Sequence, residues 1–148
     1  MDYGIVLPHF GSFAQEDAVH RIVAAAEAAE SLGYSTVWVI DHLVFPAKLE
    51  GGYAFNPLDP ILEPLTVLAA LAMKTSRVKL GTAVLILPYR HPIYTAKVLA
   101  TIDVLSGGRL VVGVGAGWLE QEFTALGQTV KERGSRTDET IDALKALW

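Results

Sequence analysis

Thr36-Val37-Trp38-Val39-Ile40-Asp41-His42 decides how the rest of the chain is read. From Val37 to Ile40 every residue is apolar, and Val37, Val39 and Ile40 are β-branched. A strand with one face in water alternates apolar and polar residues. A run without alternation is covered on both faces, as a parallel strand between layers of helix is. Outward from this stretch, residues 4–7 and 110–114 have the same character, and residues 78–87 form a longer strand-like run. Helical periodicity fills the intervals. Residues 15–32 place Val19, Ile22, Val23, Ala26, Ala29 and Leu32 on one face, with Gly33 just past the end. Residues 64–74 are rich in alanine and leucine. Residues 92–105 are entered by His91-Pro92 and closed by Ser106-Gly107-Gly108, and residues 136–148 carry the stripe Ile141, Leu144, Leu147.

Strand followed by helix, four times over, predicts right-handed crossovers and a parallel sheet. Two architectures satisfy that order. One is a small doubly wound, flavodoxin-like sheet, whose strand order begins 2-1-3. The other is the first half, (β/α)4, of a TIM (β/α)8 barrel, whose strands keep the order 1-2-3-4. A whole barrel needs about 250 residues. This chain of 148 stops at Trp148 inside its last helical pattern, without a capping glycine or a proline. The expectation is an α/β chain in which residues 1–148 are the N-terminal half of such a barrel.

Composition narrows the function classes. Without cysteine, disulfides, thiolate catalysis and zinc–sulfur sites are excluded. The formal charge of −4 is spread along the chain with no basic stripe, which argues against nucleic acid as a partner. No apolar run approaches the roughly 18 residues that span a bilayer, and Met1-Asp2-Tyr3-Gly4 lacks a basic region ahead of an apolar one. A cytoplasmic location is expected.

Ligands of parallel α/β folds gather at the C-terminal ends of the strands. Asp41-His42 is the most suggestive pair there. A histidine at a strand end can exchange a proton with a bound ring, and the neighbouring carboxylate could fix its tautomer or meet a cofactor edge. The plainer reading is a loop histidine that finishes the strand. Gly113-Val114-Gly115-Ala116-Gly117 resembles a phosphate cradle, but Trp118 takes the place of the last glycine in G-x-G-x-x-G. Close approach of a flat ligand and tight packing of the strand against its helix are both compatible with these small residues. Ser106-Gly107-Gly108-Arg109 lies between a helix and the next strand, at the opposite face, where helix capping is the better account. His9, His20 and His91 show no metal-ligand spacing, and no H-E-x-x-H, G-x-S-x-G or P-loop motif occurs, so no metal site is expected. Trp38 is expected to pack within its strand, and Trp118 either lines a pocket or joins the core.

Several segments, in this order, resemble the luciferase-like monooxygenases. They are Val37-Trp38-Val39-Ile40-Asp41-His42, Leu65-Thr66-Val67-Leu68-Ala69-Ala70-Leu71-Ala72 and Arg77-Val78-Lys79-Leu80-Gly81-Thr82-Ala83-Val84. Ala100-Thr101-Ile102-Asp103-Val104-Leu105-Ser106-Gly107-Gly108-Arg109, Gly113-Val114-Gly115-Ala116-Gly117-Trp118 and Arg133-Gly134-Ser135-Arg136-Thr137-Asp138-Glu139 complete the likeness. It is strongest to the branch that uses coenzyme F420, a 5-deazaflavin. The resemblance implies hydride transfer between that coenzyme and an organic small molecule, with flavin mononucleotide (FMN) and oxygen activation as the alternative. It places the ring at the C-terminal mouth, backed by a bulge in the third strand, often with a non-prolyl cis peptide, at Ala83-Val84. It assigns coenzyme contacts to Asp41 and His42, the latter also assisting proton transfer, and to the backbone at Ala116 and Gly117 with Trp118 beside it. Where several family members carry a hydroxyl or acidic residue, this chain has Ala116 and Trp118. The family closes its barrel with four further strand–helix units that hold much of the coenzyme's phosphate tail. Residues 1–148 alone are therefore expected to lack turnover and to associate, as a homo-oligomer or, in the rival reading, as a non-catalytic half-barrel working only by association. Residues 45–60, with Tyr53 and Phe55, are expected to form a lid or pocket wall.

Overall fold

The computed structural model describes residues 1–15, 17–46 and 59–148. Most of the expected lid, including Tyr53 and Phe55, lies outside them. Four strands, β1 (Gly4–Val6), β2 (Thr36–Val39), β3 (Lys79–Ile86) and β4 (Leu110–Gly115), form one sheet. All neighbours are parallel and the order is β1-β2-β3-β4, which excludes the flavodoxin-like arrangement. Each strand lies within a residue or so of its sequence-predicted span. Between and after them come α1 (Ala18–Ser31), α2 (Pro64–Ala72), α3 (Pro92–Ser106), α4 (Glu120–Ala125) and α5 (Arg133–Leu147).

The helices cover one face of the sheet. On it Val37, Val39 and Leu80 are fully buried, packed with Leu68, Leu71 and Leu99. The other face carries Trp38, whose indole lies across both neighbouring strands. A Cβ on Gly4 would sit 2.2 Å from Trp38 Nε1, and one on Gly81, its register partner on β3, would sit 2.3 Å from Trp38 Cε3. Those two glycines make the room the indole needs, so Trp38 reaches beyond its own strand.

Three expectations are corrected. α1 begins at Ala18, not at residue 15, because Gly11–Ala14 form a 3-10 turn and Asp17 adopts a left-handed φ of 58°. Its buried stripe is Ile22, Ala26 and Ala29, while Val19 and Leu32 are each 76% exposed. Val19 stands in the first turn and Leu32 at the C-cap. α5 starts at Arg133, three residues earlier than its apolar stripe suggests, and Leu147 of that stripe is exposed. α4 has only six residues and was not read from periodicity.

The N-terminal end of the sheet is closed by two charged side chains. Arg109 donates to the carbonyls of Ala72, Thr75, Val78 and Ser106 and to the Thr75 hydroxyl, collecting the acceptors left where α2 and α3 end. Gly107 and Gly108, at φ 69° and 80°, turn the chain out of α3 with N–H donations to Val104 and Asp103. Capping is thus the role of Ser106-Gly107-Gly108-Arg109. Glu30 does the converse, accepting the N–H groups of Ser76, Arg77 and Val78 ahead of β3.

Burial pushes the Glu30 carboxyl up, but the donors from Val78, Arg77 and Ser76 outweigh it and hold the group at about 2, below its usual 4.5. A depressed carboxylate contributes stability in full above the unfolded value and loses it as pH falls through the folded one. Glu30→Gln in the full-length protein is therefore expected to cost about 1 kcal/mol near neutrality, no more, because solvent screens this partly exposed carboxylate. Thermal unfolding should show the gap from wild type closing between about pH 4.5 and about pH 2. A gap independent of pH would refute the assignment.

Candidate functional site

Parallel strands deliver the ends of β2, β3 and β4 to one side of the sheet, and the residues singled out from the sequence meet there. β3 carries a bulge: Thr82 pairs with Val112 but Leu85 pairs with Val114, so one extra residue is accommodated on β3. The peptide bond Ala83-Val84 is cis, as the resemblance implied. Ala83 and Val84 are exposed on the bulge. Facing it, β4 supplies glycine. A Cβ on Gly113 would sit 2.3 Å from the Thr82 carbonyl oxygen, and one on Gly115 would sit 2.4 Å from Val84 Cγ2. The Thr82 hydroxyl donates to the Gly113 carbonyl at 2.8 Å. Gly117, at φ 77°, fits against Ile86 and Phe123. The glycines of 113–117 thus make room for the neighbouring strand and for Phe123 of α4, rather than for the strand's own following helix alone. Ala116 and Gly117 are half-buried, and Trp118 is 47% exposed at the strand end.

Asp41 and His42 are both at this end but have parted company. In an extended chain adjacent side chains point opposite ways, and each finds its own partner. Asp41 is 3% exposed. Its carboxylate accepts from Arg90 through both oxygens and from the Ile86 N–H at 2.8 Å, and Arg90 also donates to Glu63 at 3.0 Å. Burial pushes the Asp41 carboxyl above its ordinary range despite the guanidinium beside it. Glu63 is drawn below its range: burial opposes this, but the Thr66 N–H and hydroxyl and Arg90 prevail as it caps α2.

The carboxylate beside the His42 ring is not Asp41, one of whose two possible roles was to hold that ring, but Glu122 of α4, which sequence reasoning missed. His42 Nδ1 lies 2.9 Å from Glu122 Oε2, where the Tyr89 hydroxyl also donates at 2.9 Å. Oε1 accepts the N–H groups of Leu43 and Val44. Glu122 is fully buried. Burial pushes its carboxyl up, but the donors from His42, Val44, Leu43 and Tyr89 together hold it below its ordinary range. Burial, and then Glu122, push the Tyr89 hydroxyl far upward, so it stays protonated. The His42 side chain is 12% exposed, with Phe45 at 4.4 Å between ring centroids and Trp118 edge-on at 6.1 Å. Its Nε2 has no hydrogen-bond partner among the described residues. His9, passed over for want of metal spacing, is buried and bridges Leu7 and Ile40, fastening the end of β1 to the end of β2.

A family model described as luciferase-like monooxygenase matches residues 1–148. An uncharacterized protein of Mycobacterium tuberculosis is 39% identical over 157 residues, covering 100% of this chain and 53% of its own length. The F420-dependent glucose-6-phosphate dehydrogenase of Amycolatopsis mediterranei is 36% identical over 139 residues, covering 91% of this chain and 39% of itself. Among solved structures, monooxygenase RslO1 from Streptomyces bottropensis superposes with a TM-score of 0.79 at 35% identity, over 100% of this chain and 43% of that one. The chain thus spans about half the length, or less, of these proteins, and its four parallel strands match part of their luciferase-like TIM barrel.

Removing the cation of the buried pair should be costly whatever the site binds. Arg90→Met is expected to destabilise the full-length protein by about 3–5 kcal/mol, because Asp41 keeps its burial and loses its counter-ion. Denaturant unfolding of Arg90→Met, Asp41→Asn and the double variant checks this: the double should lose much less than the sum. Additive losses would show that the two side chains do not act as a pair.

Proposed function

Because the chain belongs to the luciferase-like monooxygenase family, we propose that it contributes one wall of the active site of a deazaflavin-dependent oxidoreductase that binds coenzyme F420. One observation carries the reading. His42 stands at the strand ends with one ring nitrogen held by a buried carboxylate and the other without a hydrogen-bond partner among the described residues, between Phe45 and Trp118. The 36% identity to a protein named for F420-dependence supports the choice of coenzyme.

The residues present suit a planar tricycle. Ala83 and Val84 offer an exposed apolar shelf, and Gly115, Ala116 and Gly117 keep its border low. The ring would lie on that shelf with Trp118 at its edge and the backbone of Ala116 and Gly117 within reach. When bound, the deazaflavin supplies hydride chemistry at its C5. The protein's share is orientation, exclusion of water and a proton. His42 would hold or release that proton at Nε2, where an organic substrate gains or loses it on oxygen. Asp41 takes a positioning role in this scheme. Its carboxylate is enclosed by Arg90 and the Ile86 N–H, so it anchors the end of β2 to the end of β3 rather than meeting the coenzyme itself. The likeness to a monooxygenase at 35% identity supports a second reading, in which FMN takes the same shelf and oxygen is activated there.

Titration of the full-length protein with F420 and with FMN separates the two readings. F420 is expected to bind and FMN to bind more weakly. His42→Ala should lower F420 turnover, assayed against a panel of alcohols and sugar phosphates, by roughly 10²-fold or more. Equal affinity and turnover after that substitution would remove His42 from the site, and preferential binding of FMN would replace the coenzyme.

A further inference from the structure

We infer that Glu122 is the positioning residue of the site: it fixes the proton on His42 Nδ1 and thereby makes Nε2 the one nitrogen that faces the ligand. The inference rests on the reading of His42 as the proton-exchanging group.

A carboxylate offers about four lone-pair sites and, while ionised, donates nothing. All four on Glu122 are taken. Oε1 receives the backbone N–H groups of Leu43 and Val44, and Oε2 receives the Tyr89 hydroxyl and His42 Nδ1. Protonating Glu122 would turn an acceptor into a donor facing donors, so the group stays ionised. Tyr89 spends its hydroxyl hydrogen on the same Oε2, as a second donor beside His42. The hydrogen in the 2.9 Å contact therefore belongs to His42 Nδ1.

The neutral ring then has a bare lone pair on Nε2. With the ring neutral, Nε2 is the atom that can accept at the mouth: the hydroxyl proton of a substrate passes to Nε2, while the proton on Nδ1 stays where Glu122 holds it. Orientation is set by the same carboxylate, since Leu43 and Val44 tie the backbone next to His42 to the atom pair that grips its ring. Glu122 thus joins the turn after β2, the 3-10 turn Leu87–Tyr89 after β3, and α4. It contacts the ring from behind, 80 residues away in sequence, and has no exposed surface with which to touch a ligand.

The test is the tautomer of His42 in the unliganded full-length protein. Long-range ¹H–¹⁵N correlation spectra of histidine-labelled protein read it, with His42 assigned by the signal lost in His42→Asn. Wild type is expected in the Nδ1-protonated form. In Glu122→Gln the amide presents an N–H₂ group to these donors, and the balance should shift toward Nε2–H. In Tyr89→Phe, which removes another donor from the same oxygen, the Nδ1–H form should persist. A wild type protonated on Nε2 would overturn the inference by itself, without any variant having to fold. A natively folded Glu122→Gln with an unchanged tautomer would overturn it as well. Because no coenzyme is present, a failure of the protein to bind F420 is seen in a separate titration and defeats the coenzyme reading alone.

Discussion

Two carboxylates with almost no access to water, Asp41 and Glu122, hold the C-terminal end of the sheet together. Where a parallel strand stops, its backbone N–H groups lose their neighbours, and a buried N–H without a partner costs free energy comparable to a lost hydrogen bond. The N–H groups of Ile86, Leu43 and Val44 are such groups, and all three donate to these carboxylates. The anions in turn need donors, since a buried charge survives only when it is paired or saturated with hydrogen bonds. Asp41 obtains a guanidinium; Glu122 obtains a phenol and an imidazole. The side chains displayed at the mouth are therefore consequences of how the strand ends are satisfied.

How much of this is legible in the sequence depends on the range of the interaction. β1, β2 and β4 were legible because an unbroken apolar run needs no knowledge of partners, although within residues 1–148 the side chains of β1 are exposed; β3 was legible by its length and β-branched residues. The stripe on α1 was overextended because periodicity gives a direction around the helix but not which of its turns meet a neighbour, and Val19 in the first turn and Leu32 at the C-cap stay exposed. Asp41-His42 was legible as a pair at a strand end. The role of Asp41 toward His42 was not, because neighbours in an extended segment diverge. Glu122 left no local signal. It sits in a short helix without a clear periodic stripe, and only the order β1-β2-β3-β4 brings that helix back over the turn after β2.

Glycine tells a parallel story. Gly113 and Gly115 invite a phosphate reading because glycine is where backbone and ligand approach closely. Here the approaching group is the bulge of β3, and its bulk is recorded one strand away. Gly4 and Gly81 record Trp38 in the same manner. A glycine in a parallel strand is thus read best against the residue at the same register on its neighbour. With the order 1-2-3-4 in hand, Gly81 opposite Trp38 is a signal available from sequence.

The two ends of the sheet use one device to different effect. At the N-terminal end Arg109 collects stray carbonyls and Glu30 collects stray N–H groups, and both are engaged by backbone on several sides. At the C-terminal end Glu122 collects N–H groups in the same way, but one of its donors is an imidazole, and an imidazole has a second nitrogen. Saturating the carboxylate orients that nitrogen without consuming it. The same hydrogen-bond closure that only stabilises one end of the sheet therefore leaves, at the other, a single directed valence on a rigid support. A chemical site on a barrel rim needs that combination, since a group held by fewer bonds would be free to turn away and one held by more would have nothing left to offer.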